Sequence, residues 1–176
     1  MDIPAPDRLV RLAVDLVNTR TLSPEQLTSP AAVREFLVEH GESDPITIDD
    51  AGLEAVRAVR EQLRPVFRAE PAEAARVLNG LLEENAVRPY LSDHDGSPWH
   101  LHVAKPGATW AEWLAATTAL GLASFVAAHG SKALGVCAAV DCERVFVNAA
   151  EKRPRRFCTP RCASRTRVAS YRARQA

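Results

Sequence analysis

The sequence predicts an α+β protein in which a mainly α-helical N-terminal body with one small β-hairpin precedes a compact cysteine-containing module. Three observations support this prediction. Apolar residues recur at helical spacing over most of the first 130 residues, strand-like alternation within the body is confined to the stretch from Val87 to Ala104, and every cysteine lies after residue 136. We place the boundary in the Gly-flanked segment 129–135, which gives a body of residues 1–130 and a module of residues 131–176.

Length and composition suit one domain of ordinary size plus a small module. The chain has 176 residues, of which 47% are hydrophobic and 25% are charged, so a buried core is expected. No uninterrupted apolar run reaches the roughly 18 residues of a transmembrane helix, and we expect no membrane contact. Met1 to Asp7 lacks a basic and then apolar run, which predicts a protein of the reducing cytoplasm.

The first two helices are predicted from periodicity and capping signals. Asp7 can cap a helix over residues 8–18, whose apolar positions are Leu9, Leu12, Ala13, Leu16 and Val17. Ser29, followed by proline, has the form of an N-cap, and Gly41 ends this second helix. Its inward positions are Val33, Phe36 and Leu37.

Three polar residues, Asp15, Asn18 and Thr19, stand among the apolar positions of the first helix. Short polar side chains near a helix end commonly bond to neighbouring main chain. We therefore expect these residues to have a local structural role.

Two further helices follow. Thr47 or Asp49 can cap a third helix, which Pro65 bends or stops. Its inward positions are predicted to be Leu53, Val56, Val59, Arg60 and Leu63. A fourth helix over residues 72–85 is expected to direct a second set toward the core: Ala75, Val77, Leu78, Leu81 and Leu82.

A β-hairpin is predicted from strands at residues 87–92 and 99–104, joined by the turn 93–98. Along the second strand, two sets of side chains alternate: Trp99, Leu101 and Val103 on one side, and His100 and His102 on the other.

These histidines suggest a second metal site, together with His94 and Asp95 of the turn. Histidines on a hairpin this small, however, more often face solvent or a polar partner. We favour that interpretation over the metal site.

The last helix of the body is predicted over residues 110–129, with Thr109 as its cap. It is apolar on nearly every side, which predicts the central helix against which the others pack. Gly121 is tolerated in its interior if a neighbouring element packs closely there.

The four cysteines form two close pairs, Cys137 with Cys142 and Cys158 with Cys162, with four and three intervening residues. Two short-spaced pairs separated by a loop are typical of a structural zinc site, because four thiolates suit one tetrahedral ion. Two disulfides or four inert buried thiols are the alternatives, and a reducing compartment disfavours the disulfides. We predict one structural Zn²⁺ held by these four cysteines.

The residues around the cysteines predict the fold of this module. Residues 143–148 have the pattern of a short strand with Val145 and Val147 on one face. Thr159, followed by proline, can cap a helix whose first turn carries Cys162. A knuckle, a strand and a helix that bears the last ligand make a treble-clef-like zinc finger.

Charge is polarised along the chain. From Cys137 onward there are ten Lys or Arg and three acidic residues, whereas the rest has twelve basic and nineteen acidic residues. A basic module of this kind is typical of nucleic-acid binding, because each neutralised phosphate releases counterions. A solvated cationic tail, or charge that compensates the thiolates, is the alternative. The candidate contacts are Arg153, Arg155, Arg156, Arg161, Arg165, Arg167, Arg172 and Arg174.

Helical geometry sorts the last helix into faces. Arg161, Arg165 and Arg172 fall within one narrow arc. A separate stripe is formed by Cys162, Ala169 and Ala173, with Thr166 beside it. We expect this stripe to pack on the metal core while the arginine row faces outward.

The module carries four distinctive features: the Cys137-x4-Cys142 knuckle, the strand around Phe146, Phe157 directly before Cys158, and the run Cys162-Ala163-Ser164-Arg165. With these features it resembles the C-terminal CGNR zinc finger of bacterial proteins regarded as stress-induced transcription regulators. In that family the fourth cysteine opens the signature Cys-Gly-Asn-Arg. This chain departs from the signature at Ala163 and Ser164, which leaves the metal ligands intact.

The N-terminal half resembles the ABATE domain that is paired with this finger. The matching runs are Leu12-Ala-Val-Asp-Leu-Val-Asn-Thr19, Leu27-Thr-Ser-Pro30 and Phe36-Leu-Val-Glu-His-Gly41. The resemblance implies a zinc-dependent DNA-binding regulator of a bacterial cytoplasm, associated with the nucleoid when bound.

Three classes of function compete at this point. The first is a transcription regulator that holds DNA through the finger, with the body as sensor, dimeriser or partner platform; a homodimer would enlarge the contact. The second is a zinc-stabilised module that binds protein or RNA without sequence-specific DNA binding. The third is an enzyme, which we do not expect: no histidine follows His129, and no Walker loop, dinucleotide-binding glycine pattern or Gly-x-Ser-x-Gly elbow is present. The sequence identifies no small-molecule effector.

Overall fold

The computed structural model describes residues 6–21, 24–93, 99–148 and 155–175. In these ranges the chain forms six α-helices and two antiparallel sheets of two strands each. The elements are α1 (Pro6–Asn18), α2 (Pro30–Glu39), α3 (Asp50–Leu63), α4 (Pro71–Glu84), β1 (Tyr90–Ser92), β2 (His100–His102), α5 (Trp110–His129), β3 (Leu134–Val136), β4 (Val145–Val147) and α6 (Pro160–Ala173). The predicted fold class, a helix-rich body with a small hairpin before a cysteine-rich finger, is confirmed.

Capping explains most of the helix boundaries. Ser29 accepts a hydrogen bond from the main-chain N–H of Ala32 and starts α2, after which Gly41 adopts φ +83°. Asp49, rather than Thr47, caps α3. The cap predicted at Asp7 is wrong, because α1 already begins at Pro6 and Asp7 lies inside its first turn.

The inward faces of α3 and α4 follow the helical period. All five inward positions predicted for α3 are buried, and Pro65 lies in a 3₁₀ turn, Arg64–Phe67, that ends the helix. In α4 the buried residues are Ala74, Leu78 and Leu81. The prediction of an inward Ala75 is wrong, because it lies about 100° around the helix from Ala74 and is exposed.

Helix α5 is the centre of the body, as predicted. It packs on α1, α3 and α4, and Thr109 and Glu112 form a capping box at its start. Gly121 lies against α1, where an added Cβ would come within 2.5 Å of the Leu9 Cβ. By length and composition alone α5 is apolar enough to cross a membrane, but most of its apolar stretch is buried inside the protein. We therefore regard it as a core helix.

The hairpin is shorter than predicted. Strands β1 and β2 pair over three residues each, with Leu91 opposite Leu101. Trp99 is 68% exposed, whereas Val103 is buried. His102 was expected to face solvent or a polar partner. It does not face solvent, since it is only 7% exposed, and its ring stacks on that of Tyr90 at 5.2 Å between centroids. His94 and Asp95, named in the hypothetical metal site, lie outside the described residues.

The junction between body and finger is structured. Residues 131–133 form a 3₁₀ turn and β3 follows at once, pairing with β4 so that Val136 lies opposite Val145. Val145 and Val147 face the core of the body, and Phe146 faces the cysteines. The two valines therefore share one face, as the alternation predicted. The segment predicted as a linker therefore joins the finger sheet to the body, and the domain boundary at residue 130 stays a prediction.

Candidate functional site

The four cysteines converge at one point. Cys137 follows β3, Cys142 precedes β4, and Cys158 and Cys162 lie just before and within the first turn of α6. All four sulfur atoms lie within 4.8 Å of one another, and the Sγ atom of Cys158 is 3.7 Å from the Sγ atoms of both Cys142 and Cys162.

These distances distinguish a zinc site from two disulfides. A tetrahedral zinc ion with Zn–S bonds of about 2.3 Å places its sulfur ligands about 3.8 Å apart. A disulfide needs about 2.05 Å, and all four cysteines are free thiols. The donor set and its spacing fit one structural zinc ion.

Burial and main-chain hydrogen bonds shift the pKa values of the thiols in opposite directions. Burial raises the pKa of Cys158 to about 12 and also raises that of Cys142. At Cys137 burial works in the same direction, but the main-chain N–H groups of Cys158 and Ala139 outweigh it and lower the pKa. Zinc must displace protons from these thiols, so metal binding is coupled to proton release.

A small apolar cluster and a helix cap hold the ligands in place. Phe146 and Ala139 are buried beside Cys137 and Cys162. The hydroxyl of Thr159 accepts a hydrogen bond of 3.2 Å from the main-chain N–H of Cys162, as predicted for an N-cap. The first turn of α6 is thereby fixed at the metal site.

The outer edge of β4 is closed by two side chains. The carboxamide of Asn18 in α1 donates to the Val145 carbonyl at 3.0 Å and accepts from the Val145 N–H at 2.9 Å. Two residues further along, the Arg155 guanidinium donates to the Val147 carbonyl at 2.8 Å. The edge of a sheet otherwise exposes these main-chain groups. The local role predicted for Asn18 is therefore wrong, because its partner lies 127 residues away.

The two other polar residues for which a local role was predicted, Asp15 and Thr19, have different partners. The Thr19 hydroxyl donates to the Leu16 carbonyl at 2.7 Å, as a local role predicts, and accepts from the buried Arg60 at 3.1 Å. Asp15 instead lies 3.2 Å from Nε2 of His40 in the segment after α2. This hydrogen bond lowers the pKa of Asp15 and, against the effect of burial, raises that of His40.

The structure divides the predicted nucleic-acid contacts into two groups. Arg155 bonds to Asn148 and Val147 and stands over the Phe146 ring, and Arg165 pairs with Asp141 at 2.7 Å. Both groups are exposed, and the second consists of Arg156, Arg161, Arg167, Arg172 and Arg174. Within it, Arg167 donates to the Ser164 hydroxyl of its own helix at 3.4 Å. Arg153 lies outside the described residues.

Helix α6 leaves the finger core after its first two turns. All of its residues are described, and Cys162 is the one that is buried. The stripe predicted to pack on the metal core fails beyond Thr166, since Ala169 and Ala173 are exposed. The second half of α6 is accordingly exposed on every side.

Comparison with known families agrees with this architecture. Residues 10–129 match the family model ABATE, described as "Putative stress-induced transcription regulator", and residues 133–175 match the CGNR zinc finger. Neither is an enzyme family. No curated protein matches the chain at a significant level.

Proposed function

Because the chain belongs to the ABATE family and ends in a CGNR zinc finger, we propose that it is a zinc-dependent DNA-binding transcription regulator. In this proposal one Zn²⁺, held by the four cysteines, fixes the finger and the start of α6. The body serves as sensor, dimeriser or partner platform, in a cytoplasmic protein that joins the nucleoid when bound.

The exposed second half of α6 carries the proposal. Its arginines lie on two opposite sides, with Arg172 on one and Arg167 and Arg174 on the other. A 14-residue helix is about 21 Å long, and a B-DNA major groove about 12 Å wide admits a helix. Such a helix in the groove would present guanidinium groups to the phosphates on both of its sides.

The intramolecular bonds of Arg155 and Arg165 refine the proposed contact set. We assign DNA contact to Arg156, Arg161, Arg167, Arg172 and Arg174, and a structural role to the two engaged arginines. One helix covers little DNA, so specific binding calls for two copies of the chain on adjacent half-sites.

The test is a binding experiment across a salt series. The zinc-loaded full-length chain is mixed with a pool of genomic DNA fragments, next to two double variants. One removes Arg161 and Arg172 (R161A/R172A), and the matched control removes two exposed arginines of the body (R76A/R88A). The loss of two phosphate contacts is expected to make the negative slope of log K against log salt shallower by about 2.

Enrichment of discrete fragments by wild type and by R76A/R88A, with weaker and less salt-dependent binding by R161A/R172A, supports the regulator. Equal slopes for the two double variants would refute the role of α6. Selective binding of RNA, or no nucleic acid bound at all, would favour the alternative of a zinc-stabilised RNA- or protein-interaction module.

A further inference from the structure

A polar cleft lies where the body meets the finger. It has a volume of about 480 Å³ and is formed by α1, by the segment between α1 and α2, by α2 with the turn after it, and by one residue of the finger. Its walls include Arg8, Arg11, Asp15, Phe36, His40 and Arg144. Cavities that hold small molecules typically span about 300–1,000 Å³.

Some of the charged side chains in this cleft form ion pairs and others do not. Asp15 is held by His40 and by Arg11, and Arg8 bonds to the His40 carbonyl and pairs with Glu42. Arg144 contributes a third guanidinium, which has no ion-pair partner in the part of the chain that the structure describes. The described lining therefore leaves one guanidinium, that of Arg144, open to an anion, alongside the carboxylate of Glu39.

Arg144 also belongs to the zinc knuckle. Its main-chain carbonyl accepts a hydrogen bond of 2.9 Å from the N–H of Cys137, and its own N–H faces the sulfur of Cys142. The main chain of Arg144 is thus fixed by two metal ligands while its side chain lines the cleft. A molecule that bonds to this guanidinium contacts body and finger at once.

We propose that this cleft binds a small organic anion, whose carboxylate or phosphate is held between Arg144 of the finger and Arg11 of α1. Guanidinium groups form paired, charge-assisted hydrogen bonds with both kinds of anion. Phe36 supplies an apolar wall for the remainder of the ligand. The proposal gives the body the sensor role; binding of the anion does not depend on DNA binding, but its regulatory consequence rests on the proposed function.

The experiment measures anion binding to the zinc-loaded full-length chain without DNA. Succinate and inorganic phosphate are titrated by calorimetry at constant ionic strength, with chloride as the non-specific control. Wild type is expected to bind at least one of the two probes. The affinity of both R144A and R11A for that probe is expected to fall by about tenfold or more, because each variant loses one charge-assisted hydrogen bond. The exposed arginine variant R88A is the matched control and is expected to bind like wild type.

A fourth variant tests the sign of the electrostatics. Glu39 lines the same cleft and carries negative charge, so E39Q is expected to bind the anion a few-fold more tightly. Because R11A changes α1 and leaves the finger intact, it keeps the test valid if R144A disturbs the knuckle. Equal binding by wild type, R11A and R144A, or no binding of either probe by wild type, would overturn the proposal. Anion binding by a chain that binds no DNA would refute the regulator and leave this site standing.

Discussion

The side chain of Asn18 makes both main-chain hydrogen bonds to Val145, at 3.0 and 2.9 Å, that a neighbouring strand would make. One residue at the end of α1 thereby replaces a third strand beside β4 and joins the body to the finger.

The first prediction concerns this bond. The substitution Asn18→Ala leaves a buried N–H and a buried carbonyl of β4 without partners, and we expect it to lower the free energy of unfolding by about 1–3 kcal/mol. Asn85→Ala is the control, because the side chain of Asn85 bonds to the Leu81 carbonyl at the end of α4, four residues away, and to no other described residue. Urea unfolding measures both. Equal losses in the two variants would contradict the special role of Asn18.

The second prediction separates two adjacent arginines. Arg155→Ala removes the bonds to Val147 and Asn148, so we expect a finger that unfolds more readily and exchanges its β4 amide hydrogens faster. Arg156 stands over Phe157 at 5.8 Å and is exposed. Arg156→Ala is therefore expected to spare stability and to weaken DNA binding. Hydrogen exchange and a salt series distinguish the two roles, and the reverse pattern would show that they are exchanged.

The third prediction concerns the metal. Elemental analysis is expected to find one zinc per wild-type chain and less than stoichiometric zinc in Cys158→Ser, whose finger loses cooperative unfolding. Thr159→Ala keeps all four thiols but loses the N-cap of α6. It is expected to retain the zinc and to lose about 1 kcal/mol of stability. A Cys158→Ser protein with full zinc and wild-type stability would show that the ligand set is different.

The fourth prediction is a pH dependence at the Asp15–His40 pair. The pKa of His40 is raised above 6.5, so its contribution to stability is complete below pH 6.5 and is lost as the pH rises through the raised value. The pKa of Asp15 is lowered below 3.8, so its contribution is present above pH 3.8 and is lost as the pH falls through the lowered value. The pair therefore contributes most between these limits, by up to about 1 kcal/mol, because Asp15 is partly exposed.

Chemical denaturation between about pH 5 and pH 9 tests the upper limit of this window, because the range begins below and ends well above the ordinary pKa of histidine. The stability difference between wild type and His40→Gln should shrink as the pH rises. His129→Gln, at an exposed position at the end of α5, is the control. A difference that stays constant over the range would exclude the ionised pair.

The fifth prediction compares two helical glycines. Alanine at Gly121 would meet Leu9 of α1, and we expect a loss of about 1–3 kcal/mol from overpacking. Alanine at Gly80 of α4 meets nothing within 4 Å, and there we expect a gain of about 0.5–1 kcal/mol from helix propensity. Thermal unfolding measures both, and a stabilised Gly121→Ala would disprove the close contact.

Local patterns predicted much of the fold. Ser29, Asp49, Thr109 and Thr159 cap the helices where short polar residues precede an apolar period. The alternation of β4 placed its two valines on one face and Phe146 on the other, because successive residues of a strand point to opposite faces. These features depend on residues that are only a few positions apart, so they can be recognised in a single sequence.

Contacts between distant segments could not be predicted in the same way. Nothing near Asn18 indicates a partner at Val145. Nothing near Arg165 in α6 indicates that Asp141, in the loop between β3 and β4, is its ion-pair partner.

Ala169 and Ala173 were expected to pack because helical geometry places them on the same face as Cys162. The buried part of the finger is too small to reach these alanines. The size of that buried part depends on the tertiary structure and cannot be derived from the helical pattern.

The exposed second half of α6 has a consequence for binding. Isolated helices of fewer than about 12–15 residues are marginal in water, and no described part of the chain packs on these last turns. A partner that holds them in helical form bears the entropy of ordering them, which lowers the affinity obtained from a given contact area. In the proposed DNA complex, this ordering entropy offsets part of the free energy of the α6 contacts.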